Sequence, residues 1–169
     1  MSTLSACRLF AATLLAALGA AVPAQAEQAW VGTRVLSFEL AQRLAVEAAQ
    51  ACRKQGYQVA VAVVDRSGTL LAFARDPLAG PHTVAVSQGK AYAAATFQTP
   101  TTEMMDNEHL RHAPDVLLIG GGLPVRVAGH MYGAVGVSGA PAQKRTGDVD
   151  EACAQAGIDA IRESLEFAE

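Results

Sequence analysis

The sequence holds no Cys-x-x-Cys pair and no His-Glu-x-x-His segment, so a dedicated zinc site is not expected. It has no complete Gly-x-Ser-x-Gly elbow. Ser138 stands in Gly136-Val137-Ser138-Gly139, which no helix directly follows, and hydrolytic catalysis therefore finds little support. Lys and Arg nowhere cluster, and the formal net charge is −3, which argues against nucleic acid and anionic membrane as partners. Repeats, low-complexity tracts and interdomain linkers are missing as well. No apolar run reaches the roughly 20 residues of a membrane-spanning helix.

The apolar run that does occur, Leu9 to Val22, belongs to an export signal. Arg8 supplies its positive end, and Ala24-Gln25-Ala26 offers small residues at a cleavage site. Cys7 precedes the apolar run rather than following it, which excludes a lipoprotein signal. Cleavage after Ala26 is expected to release a periplasmic or secreted chain with no remaining membrane attachment. Residues 27–36 then form a lead-in, and residues 37–169 one ordinary domain large enough to bury about two thirds of its unfolded surface. Cys52 and Cys153 survive processing. Export permits a disulfide between them, while burial as two small apolar thiols remains an equal alternative.

Ser37 is a suitable N-cap, and Phe38, Ala41, Leu44, Ala45, Ala48, Ala49 and Cys52 recur at helical spacing up to a stop at Gly56, predicting a helix over 37–55. Gln58–Asp65 and Thr69–Ala74 read as two strands joined by the turn Asp65-Arg66-Ser67-Gly68. After the Pro81 helix start, an alanine-rich helix is expected over 82–97, then a shorter one near 101–110 capped by Thr101 or Thr102. Asp115–Ile119 reads as a third strand. Gly120 to Gly139 reads as a strand, a tight turn at Ala128-Gly129 and a returning strand, a second hairpin. Asp148 and Glu151 form a capping-box-like start to a last helix, whose stripe is Val149, Ala152, Cys153, Ala156, Gly157, Ala160, Ile161 and Leu165. Hairpins dominate and no parallel crossover is required. The expected class is α+β, an antiparallel sheet of about five strands with helices packed on it.

Several segments in combination resemble the GlcG/HbpS family, also called the haem-degrading or DUF336 domain and found at the C-terminus of PduO-type adenosyltransferases. They are Leu36-Ser37 with Leu40-Ala41, Val61-Ala62-Val63-Val64-Asp65 with Ser67-Gly68, Lys90-Ala91, Gly121-Gly122-Leu123-Pro124-Val125, Gly133-Ala134-Val135-Gly136-Val137-Ser138-Gly139, and Asp150-Glu151 with Ala154-Gln155-Ala156-Gly157. The resemblance implies a profilin-like fold, assembly into homo-oligomers, and in some members haem binding linked to haem storage, sensing or iron stress. Two departures stand out. Tyr92 follows Lys90-Ala91 where Arg is usual, and the first helix has no His, so a haem ligand placed there, as in the adenosyltransferase-linked branch, does not carry over.

With haem as the implied cofactor, the histidines become the residues of interest, because imidazole is its commonest protein ligand. His109 and His112 lie three apart and share a face if a helix continues through them, with Met104 and Met105 upstream lending soft apolar character. They are the first candidates for haem or metal ligation; the alternative is polar cover at a solvated helix end. His82 follows Pro81 at a helix N-terminus, where the dipole favours a neutral imidazole, and is the second candidate. His130 sits beside a turn and reads as exposed. Lys90 either pairs with an acid such as Asp65 or faces a propionate. Gly120-Gly121-Gly122 is followed by a strand and not by a helix, so it serves close backbone approach better than phosphate binding. The expected role is binding with slow iron release at most, not fast turnover. The rivals are a metabolite-binding or enzymatic protein holding a small organic acid at Gly120–Pro124, without haem, and a structural partner of an oxidoreductase.

Overall fold

The computed structural model describes residues 29–144 and 146–168. The expected signal and its cleavage site lie outside the described residues. Within Gly32–Glu169 the chain runs α1 (Phe38–Lys54), β1 (Ala60–Val64), β2 (Leu70–Arg75), α2 (Thr83–Phe97), two 3-10 turns at Thr101–Glu103 and Leu110–His112, β3 (Gly122–Val127), β4 (His130–Ser138) and α3 (Asp148–Glu166). The strands form one antiparallel sheet in the order β2-β1-β4-β3.

Local chemistry sets the ends of α1. The Ser37 hydroxyl accepts from the Leu40 amide at 3.3 Å, and at the far end Tyr57 N–H donates to Cys52 O while Gly56 N–H donates to Arg53 O. That pair of bonds is a Schellman motif, and Gly56 adopts the left-handed conformation it needs, with φ +85°. The β3–β4 connection is a two-residue turn through Ala128 (φ 48°) and Gly129 (φ 78°), the primed geometry that matches strand twist.

Alternation along β1 decides the layering. Val61 and Val63 enter one core with Leu44, Ala48, Cys52, Val135, Val137, Ile158 and Ile161, so α1 and α3 cover that face. Ala62 and Val64 point the other way and pack with Ala91, Ala94, Ala95 and Ala134 beneath α2. With both faces covered, all five residues of β1 are buried, which explains why its sequence is a continuous apolar run. Small residues bring α2 close. A methyl on Gly136 would stand 2.1 Å from Ser87 O and 2.6 Å from Ala91 N, so only glycine leaves room for the helix backbone there.

Four expectations need correction. The sheet has four strands, because the run after Asp115 does not pair; Asp115 itself is left-handed (φ 61°), and Leu118 packs with Ala93 and Met104 instead. The helix near 101–110 is two separate 3-10 turns, and neither threonine caps it: Pro100 holds the N-cap position. The capping box at α3 does not form. Gly147 is the N-cap residue, Asp148 accepts from the amides of Gln143 and Lys144, and Glu151 receives the Thr102 hydroxyl. Finally, the buried stripe of α3 includes Asp150, Ala154 and Ile158, whereas Ala152 and Ala156 are exposed. The helix is turned so that Asp150 faces inward.

Cys52 and Cys153 are joined in a disulfide with Cα atoms 5.4 Å apart, which decides the alternatives left open by their sequence positions. The bridge ties α1 to α3 across the core face of the sheet. Among the described residues no helix is long and apolar enough to cross a membrane.

Candidate functional site

α2 crosses the sheet with Lys90 on its inner side, and the side chain is only 2% exposed. Its ammonium donates to Asp150 Oδ2 and to Val137 O, both at 2.8 Å. Asp150 accepts the Ala140 amide on its other oxygen at 3.0 Å, so one carboxylate links α2, the end of β4 and α3. The partner is thus Asp150 and not Asp65, whose Oδ1 accepts the amides of Ser67 and Thr69 within the β1–β2 turn. Burial pushes the Lys90 ammonium below its ordinary pKa and the Asp150 carboxyl above its own, because both charged forms lose water. The mutual attraction acts in the opposite direction and keeps the pair together.

The glycine turn is shaped by this pair. A methyl on Gly121 would lie 2.9 Å from Lys90 Nζ and 2.7 Å from Asp150 Cβ, at a backbone φ of +114°. On Gly122 it would lie 2.5 Å from Lys90 O. Gly122 N–H donates to Thr101 Oγ1 at 2.9 Å, and Val137 N–H donates to Gly121 O at 2.9 Å. These glycines are used for close packing, as their sequence context implied.

A cavity of about 390 Å³ opens above the pair. Lys90, Asp150 and Ser138 line its floor, His82 and Val86 stand on the α2 side, and Ile119 and Thr146 lie opposite. The His82 ring lies over Gly80, where a methyl would come within 2.8 Å of Cε1. A second cavity of about 470 Å³ shares Ile119 and Thr146 with the first and continues along Val116–Ile119 to Met105 and Arg111. The two form neighbouring lobes on either side of Ile119. Their volumes fall in the range of small-molecule sites.

The structure therefore brings together two of the four residues singled out from sequence, His82 and Lys90. His109 precedes the second 3-10 turn and His112 ends it, and both are exposed; neither lines either of these two cavities, although Arg111 between them does. Among the described residues no group of three or more His, Cys, Asp or Glu is placed to hold a metal ion. Sequence reasoning missed Asp150, Ile119 and Arg111. Asp150 had a signal that the predicted stripe passed over: it precedes Cys153 by three residues and Gly157 by seven, a spacing that sets an acid beside the core face of a helix. Arg111 had none.

Comparison with known proteins places this arrangement. The family described as haem degrading protein HbpS-like matches residues 36–159. Protein GlcG of Escherichia coli K12 is 35% identical over 109 residues, covering 62% of this chain and 81% of GlcG. The crystal structure of a doubly substituted Streptomyces reticuli HbpS superposes with a TM-score of 0.73 at 35% identity, covering 84% of this chain and 98% of that one. A PduOC–haem complex superposes with a TM-score of 0.67 at 27% identity, covering 75% and 95% of the two chains. The α+β sandwich seen here is the profilin-like arrangement of these neighbours. The chain belongs to the HbpS-like family.

Proposed function

We propose that the protein binds haem, in the two-lobed groove that joins the His82 cavity to the Val116–Ile119 wall. One observation carries the reading: an imidazole, an apolar strip and a guanidinium line adjoining lobes that meet at Ile119. Those are the groups a haem requires, namely an axial nitrogen, a flat apolar contact and a cation for a propionate. His82 would supply the nitrogen ligand to the iron, and Arg111 would pair with a propionate. Lys90 already serves Asp150 and Val137 O, and acts by holding the floor of the site. When bound, haem supplies its iron and redox chemistry; the chain contributes orientation and shelter from water. The kinship with HbpS and with a haem-bound PduOC domain supports the same reading.

The working form is an exported homo-oligomer. The Cys52–Cys153 disulfide supports an oxidising compartment. Exposed Leu70 and Phe73 on the edge strand β2, together with Leu78 beyond it, support self-association.

Titration of the purified protein with haemin tests the binding. A sharp, saturable Soret band that is lost in His82→Ala supports the assignment. Loss only in His109→Ala or His112→Ala moves the axial ligand to the exposed 3-10 turn while keeping the function. A broad absorbance that none of the three substitutions changes means adsorption to an apolar surface, and the haem reading then fails.

A further inference from the structure

A separate hollow of about 270 Å³ brings together three arginines and a histidine. Arg34 comes from the segment before α1, Arg66 from the β1–β2 turn, Arg126 from the end of β3, and His130 from the start of β4. Pairing explains the convergence. The β1–β4 register, continued past Val64↔Ala134, brings the β1–β2 turn level with Tyr132, beside the β3–β4 hairpin tip. Gln98, the C-cap residue of α2, completes the wall. His82 and Gln98 are separated by the length of α2, about 24 Å at 1.5 Å per residue, so this hollow is distinct from the groove described above.

The charge is unbalanced. No carboxylate lines the hollow, and none of the three guanidiniums forms an ion pair among the described residues; the ion pairs there are Arg53–Asp76, Lys90–Asp150 and Arg162–Asp159. Existing contacts orient the arginines without neutralising them. Arg126 donates to Gln98 O and Oε1 at 3.3 and 2.8 Å, which caps the carbonyl end of α2, and Arg34 lies 3.4 Å from Tyr132 Oη. Each guanidinium has five N–H donors, so most of their donor capacity remains available. Three like charges held together in a chain of net charge −3 repel one another unless an anion joins them.

We infer that this hollow is a binding site for a small multivalent anion, of the di- or tricarboxylate or pyrophosphate class. Bidentate guanidinium recognition suits both oxyanion types, and a single charge cannot answer three arginines. The volume equals about nine waters at roughly 30 Å³ each, room for a molecule the size of citrate but not for a macrocycle.

The test is calorimetric titration of the full exported chain at low salt with citrate, with pyrophosphate, and with acetate as the monovalent control. At least one multivalent probe is expected to bind tenfold or more tighter than acetate, and the tighter of the two identifies the class. Arg66→Gln, in an exposed turn where folding is not at risk, weakens that binding about tenfold, and Arg66→Gln with Arg34→Gln removes it. Arg53→Gln, a distant exposed arginine, leaves it unchanged, as does prior saturation with haemin. Equal affinity for acetate, no measurable heat with either multivalent probe, or an equal loss in Arg53→Gln overturns the proposal. None of these outcomes alters the Soret test.

Discussion

Replacing Asp150 with Asn probes the element that holds the site together. Asn has the same size and keeps an oxygen for the Ala140 amide, so neither a cavity nor a lost loop contact accompanies the change. What changes is the face toward Lys90, where an amide donor now meets an ammonium that is 2% exposed. Removing one partner of a buried pair costs about 3–5 kcal/mol, because the remaining charge is left without compensation. For a domain of this size that is a large share of about 5–15 kcal/mol in total. The pH dependence carries a definite sign. The Lys90 pKa is already lowered from 10.5 by burial, and the substitution removes both influences that raise it, so it falls further. Between that lowered value and 10.5 the unfolded chain binds more protons than the folded one, and stability rises with pH. The deficit of the variant is therefore greatest near neutrality and shrinks toward pH 10, as Lys90 becomes a neutral amine. Urea unfolding followed by circular dichroism at pH 7 and pH 10, with the disulfide intact, measures it. Adding Lys90→Met restores most of the loss. A deficit below about 1 kcal/mol at pH 7, or one that grows toward pH 10, refutes the reasoning.

Further consequences follow from other contacts. Cys52 and Cys153 are 101 residues apart, and opening a loop of that length releases up to about 4.7 kcal/mol of unfolded-state entropy. Cys52→Ala with Cys153→Ala should lower stability by about 3–5 kcal/mol in urea unfolding, and the unfolded wild-type chain lacking residues 1–26 should titrate no free thiol. Gly136→Ala drives a methyl into Ser87 O across the α2–sheet interface, at a cost of about 3 kcal/mol or more, seen as a lower melting temperature or loss of soluble protein. Thr101→Val keeps the shape but strands the buried Gly122 N–H, costing about 1–3 kcal/mol and speeding amide exchange at that position.

Features built from neighbouring residues were legible in advance. Ser37 and Gly56 marked the ends of α1 because capping involves groups within a turn of each other. Ala128-Gly129 marked its hairpin because a two-residue turn needs backbone conformations that few residues tolerate. The family resemblance was legible for a related reason: it rests on short glycine and apolar segments whose identity close packing restricts. The site was only partly legible. His82 and Lys90 drew notice by residue type, but their common cavity depends on how α2 lies over β4.

Sequence alone determined the two hairpins, the three helices and the antiparallel class, since hydrophobic period and turn chemistry act over a few residues. Tertiary structure decided whether the run after Asp115 pairs, which acid meets Lys90, and whether the two cysteines join. Each of those outcomes hangs on groups far apart along the chain: Lys90 and Asp150 are 60 residues apart and the cysteines 101. A local pattern records what a residue tends to do, and which partner it reaches is settled only when the layers pack.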